Sequence, residues 1–94
     1  MKKPKFPLGQ LLMTRGIANT LPHERLLECL RRHVSGDWGL VDGEDRQAND
    51  DALVHGARLL SVYLVDEADA AAGWFWVITE RDRSVTTALL PSEY

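Results

Sequence analysis

Seven consecutive residues, His33-Val34-Ser35-Gly36-Asp37-Trp38-Gly39, bring an imidazole, a hydroxyl, a carboxylate and an indole together. A histidine titrating near neutrality can move protons, and a carboxylate such as Asp37 can hold its tautomer. A second group lies near the C-terminus: Thr79, Glu80, Arg83, Ser84, Thr86 and Thr87. Hydroxyls and a guanidinium on adjacent strands can hold a phosphate. Together the two groups outline a metal-independent cleavage of RNA. His33 is its general acid/base, oriented by Asp37, and Arg83, Thr86 and Thr87 contact phosphate. The plainer reading of the same residues carries more weight. A histidine at a helix C-terminus is favoured by the dipole, threonine is a good strand former, and Arg81, Asp82 and Arg83 solvate a turn. Trp38, Tyr63, Trp74, Trp76 and Arg81 are the candidates for a binding surface. Gln10, Asn49 and Ser61 are weaker ones.

Cys29 and His33 are four residues apart and share a helix face, a spacing that could start a zinc site. Two further ligands at motif spacing are lacking, and a lone cysteine on a helix flank is more often a small buried hydrophobe. The acids around Asp42 lack the ligand rhythm and central glycine of a calcium loop. No metal and no cofactor is expected.

The elements that must position these residues are legible in part. Residues 8–14 are short and apolar and read as a strand; residues 15–20 read as a connection, with one helical turn at Ile17-Ala18-Asn19 as the alternative. Thr20 to His33 reads as a helix, with Thr20 as N-cap, Pro22 in its first turn and Leu26, Leu27, Leu30 and Val34 as its buried stripe. Gly36 suits its C-terminal cap. A second, more polar helix begins with Asp42 as N-cap and Asp45 at its third position, and ends at His55 before Gly56. Arg58 to Val65 alternates as a strand, with Leu59, Ser61, Tyr63 and Val65 on one face. Residues 74–79 and 84–90 form a hairpin around Arg81-Asp82-Arg83. Trp74, Trp76 and Ile78 share one face of its first strand; Phe75, Val77 and Thr79 share the other. The expected fold is α+β and two-layered: strand, helix, helix, then a three-stranded antiparallel meander, with the helices packed on one sheet face. Residues 1–5 are expected to be a disordered N-terminus, and residues 6–94 a single domain.

Ninety-four residues carry 14 acids and 11 bases, for a net charge of −3. Between Asp37 and Asp51 six acids face a single base, Arg46. This balance argues against a general nucleic-acid binder, which needs clustered Lys and Arg. The acidic block reads first as a solvated helix start and second as a contact for a basic partner. One cysteine excludes an intramolecular disulfide, and no apolar run approaches the ~20 residues of a membrane span. The expectation is a cytoplasmic protein without membrane contact, monomeric or homodimeric.

The segments Leu8-Gly9-Gln10, Arg32 to Gly39, Asn49-Asp50, Gly56 to Tyr63 and above all Trp76 to Tyr94 resemble a group of small bacterial proteins. Those proteins are carried on plasmids and other mobile elements and are described as plasmid-related or hypothetical. The resemblance spans nearly the whole chain and departs at residues 15–20 and in the Ala-rich loop before Trp74. It implies a mobile-element context and no activity. Element order alone also resembles small metal-independent ribonucleases and toxins, where helices precede an antiparallel sheet. The favoured expectation is a non-catalytic accessory module that binds another protein, in one form as an acidic inhibitor of host nucleic-acid machinery. The alternative is a ribonuclease-like toxin or RNA-processing enzyme built on His33, with RNA as its partner.

Overall fold

The computed structural model describes residues 3–94. Its element order is β1 (Gln10–Met13), α1 (Arg15–Thr20), α2 (His23–Val34), α3 (Gly43–His55), β2 (Leu59–Leu64), β3 (Trp74–Thr79) and β4 (Val85–Leu89), with short 3-10 turns at Ala70–Ala72 and Pro91–Glu93. The fold is α+β as expected, and β2, β3 and β4 form the antiparallel meander. The sheet is larger than the meander: its order is β1-β4-β3-β2, and β1 lies parallel to β4.

Two expectations for the helices are corrected. Residues 15–20 form a helix of their own, started by the Thr14 side chain accepting from the Ile17 N–H, so Thr20 ends α1 and does not cap α2. Pro22 occupies the N-cap position of α2 without a side-chain bond. The stripe of α2 is also rotated. Leu26, Cys29, Leu30 and His33 are buried, while Leu27 is exposed and Val34 half-buried. α3 follows the sequence closely, because its signals are local. Asp42 accepts from the Asp45 N–H, and Gly56 closes the helix at φ 73°, in the left-handed region.

One sheet face carries Ser61, Tyr63, Phe75, Val77, Thr79, Thr86 and Ala88, all buried. Against it pack Ile17, Leu26, Cys29 and Leu30, and a second cluster joins Phe6, Trp38, Val41, Ala52 and Leu59. Lys5, within the stretch expected to be disordered, donates its N–H to the Val34 carbonyl. Met1 and Lys2 lie outside the described residues.

The two edges of the sheet are treated differently. On β2, the Asn49 amide receives the Leu60 N–H and donates to the Leu60 carbonyl, at 3.0 and 2.7 Å. The backbone of Trp38 and Leu40 pairs with Val62 in the same way. The Arg25 guanidinium donates twice to the Leu64 carbonyl. These contacts occupy the groups an added strand would use. Asn49→Ala strips both partners from Leu60 and is expected to cost about 2 kcal/mol. Urea denaturation should show a lower midpoint at unchanged slope.

Candidate functional site

His33 comes up from the last turn of α2 and meets the hydroxyls of the meander. Its Nδ1 lies 2.6 Å from Ser61 Oγ and its Nε2 2.8 Å from Thr79 Oγ1. Thr79 Oγ1 is 2.7 Å from Thr86 Oγ1, and Thr86 donates to the Leu8 carbonyl at 2.7 Å. That last bond orders every proton in the chain. A carbonyl only accepts, so Thr86 spends its single proton on Leu8 and must accept from Thr79. Thr79, having given its proton, must accept from Nε2–H. Nδ1 is then bare and accepts from Ser61. His33 is a neutral Nε2–H tautomer held at both nitrogens.

The site is dry. His33, Ser61 and Thr79 have no exposed surface, and Thr86 is 1% exposed. The Phe6 and Trp38 rings meet the imidazole edge-on at 5.2 and 5.7 Å. Burial, helped by the Arg83 charge, pulls the His33 pKa from 6.5 down to about 3. Among the described residues, no buried side-chain nitrogen or oxygen lacks a hydrogen-bond partner.

The other candidates separate around this core. Asp37 is engaged by Arg32 Nε at 2.8 Å and by the Gly39 N–H, and its carbonyl accepts from Tyr63. The imidazole nitrogens are already taken by hydroxyls. Arg83 donates to the carbonyls of Ala52, Ala57 and Glu80 and sits over Phe6, so its guanidinium closes the C-terminal end of α3. Thr86 faces inward, whereas Thr87 pairs with Ile78 and lies on the opposite face. His33, Arg83 and Thr87 therefore share no cleft. Cys29 is fully buried, and desolvation pushes its thiol up to about 11, away from the thiolate a metal requires. Burial also raises the Tyr63 phenol.

Of the binding candidates, Trp38 and Tyr63 are core residues. Arg81 is exposed at the hairpin tip. Trp74 and Trp76 lie on the sheet face away from the helices, where Trp74 is 52% exposed. Arg58, Leu60, Trp76, Ile78 and Tyr94 line a cleft of about 320 Å³ on this face. Tyr94 packs edge-on to Trp76 at 5.4 Å, and Arg58 sits over the Tyr94 ring and donates to its hydroxyl. Arg58, Leu60 and Tyr94 were not singled out by sequence reasoning. The period-2 alternation that puts Leu60 on the face of Trp76 was the available signal.

The acids of the 37–51 block are exposed or half-exposed, and several hold structure. Asp42 caps α3, Asp50 accepts from the Trp38 indole, and Asp51 from Gln47. Among the described residues, no helix is long and apolar enough to cross a membrane. No protein-family model, curated protein or solved structure matches the chain.

Proposed function

We propose that this chain is a small mobile-element accessory protein that acts by binding another protein and catalyses no reaction. The observation that carries the reading is the division between the two sheet faces. The face with the titratable histidine is sealed and fully hydrogen-bonded, while the face with Trp74, Trp76 and Tyr94 is open to a partner. Aromatic side chains around a cleft, with an arginine beside them, are the composition of interaction hot spots. The carboxylates of Glu44, Asp45 and Asp51 along α3 suit a basic partner, such as host nucleic-acid machinery. The mobile-element context rests on the sequence resemblance.

The test is capture from bacterial lysate by the immobilised chain, with Trp74→Ala as the control. Trp74 is exposed, so the variant should fold normally and bind the captured protein about tenfold or more weakly. Equal capture by the variant would contradict the assignment of this face. RNA incubated with the purified chain and a chelator is expected to stay intact. Cleavage by the wild type that is lost in a His33→Gln variant with an unchanged circular dichroism spectrum would restore the enzymatic alternative.

A further inference from the structure

The β1 edge of the sheet is open where the β2 edge is closed. The N–H groups of Gln10 and Thr14 point to Ser84 and Ala88 of the β4 side, so alternation turns those of Leu11 and Met13 outward. Beyond β4, β1 has no neighbouring strand among the described residues. No charge or proline guards residues 10–13, the usual protection of an edge. Leu11, Leu12 and Met13 are 50%, 46% and 49% exposed, and Leu27 of α2 beside them is 37% exposed.

We propose that two copies of this chain pair through β1, antiparallel, about a twofold axis at Leu12. The strand is complementary to itself in this register. Leu11 of one copy exchanges both backbone hydrogen bonds with Met13 of the second, and Met13 with its Leu11. That makes four bonds and uses every outward group of the strand. Leu12 meets Leu12 across the axis, in the close non-hydrogen-bonded position. The pairs within residues 11–13 are all apolar, Gln10 meets the uncharged Thr14, and no like charges meet, which is what an uncharged strand in a chain of net charge −3 offers to its own copy. Leu11 and Met13 share the inward face with Thr86 and Ala88 and line a groove with Leu26, Leu27 and Leu30. The added strand therefore extends the core under α2 and makes one eight-stranded sheet. The four exposed side chains offer on the order of 350 Å² of apolar surface per copy, below the ~800 Å² of a standard interface. The dimer is accordingly weak, with Kd in the micromolar range. It leaves the aromatic face free and does not depend on the partner-binding reading.

Sedimentation equilibrium over a concentration series should show the mass rising from 10.6 kDa to twice that value. Leu12→Lys sets two ammonium groups against each other at the axis. It should weaken association about tenfold or more while the circular dichroism spectrum stays unchanged. Leu12→Cys provides a check that does not rely on a disrupted variant. The close pair falls within disulfide range, and Cys29 is buried, so mild oxidation should give a covalent dimer that the control Ala71→Cys does not. A wild type that stays monomeric at high concentration, a Leu12→Lys variant that associates as well as wild type, or a Leu12→Cys variant that crosslinks no better than the control would overturn the proposal. The second of these outcomes would place the contact on another surface, such as the aromatic face.

Discussion

At pH 5 the protein is expected to be about 2 kcal/mol less stable than at pH 7.5, and His33 is the source. In the unfolded chain its imidazole takes a proton near pH 6.5; in the fold it does not until about pH 3. Above 6.5 both states are neutral and the group contributes no slope. Below it the unfolded chain gains a proton that the fold refuses, so stability drops by about 1.4 kcal/mol per pH unit until the folded value is reached. The refusal has a structural cause. A proton on Nδ1 would force Ser61 from donor to acceptor and place a charge between Phe6, Trp38 and the sheet. Asp82 and Glu93, whose carboxyls are held below their ordinary values by hydrogen bonds from Ser84 and from Thr14, add losses of their own only as the pH falls on into the ordinary carboxylate range. His33→Ala should remove this contribution to the slope and cost about 3 kcal/mol at neutral pH, since it leaves a cavity and strands the Ser61 proton. Urea titrations of both proteins at several pH values measure slope and offset together.

Gly39→Ala is the second large effect. Gly39 sits at φ 73°, and a Cβ there would overlap the Val62 carbonyl oxygen and press on the Tyr63 ring. The substitution cannot be absorbed by a side-chain rotation, because the obstacle is the backbone of β2. Its cost is about 3 kcal/mol or more, as the Trp38–Leu40 pairing with Val62 is pushed off the sheet edge. Gly56 provides the control. It has the same φ of 73° and nothing within 4 Å of the added carbon, so Gly56→Ala should cost about 1 kcal/mol. The difference between the two thermal midpoints isolates the close approach from the left-handed backbone.

What the sequence made legible was local. Asp42 and Gly56 bracket α3 through bonds within four residues. The alternation in residues 59–64 and 74–79 assigns inner and outer faces that the structure reproduces. What it hid was contact between distant segments. β1 pairs with residues some 75 positions away, and nothing in Gln10–Met13 states whether that pairing is parallel. Asn49 looks like one more polar residue of a polar helix until Leu60 is placed beside it. Thr20 and Thr14 are equivalent as caps by type, and the choice between them depends on where Ile17 is buried. The histidine is the instructive case. Leu26, Cys29, Leu30 and His33 recur at helical spacing, which marks the imidazole as part of the buried stripe. A polar residue invites a chemical reading instead, and only the positions of Ser61, Thr79 and Phe6 show that its partners are hydroxyls within the core.

Nitrogen-15 NMR of the imidazole between about pH 8 and pH 5 tests most directly whether His33 is a sealed structural group. The expected spectrum shows Nε2 protonated and Nδ1 bare, unchanged across the whole range. A midpoint near pH 6.5 with protonation appearing at Nδ1 would contradict it, and would return His33 to the set of groups able to move protons for a substrate.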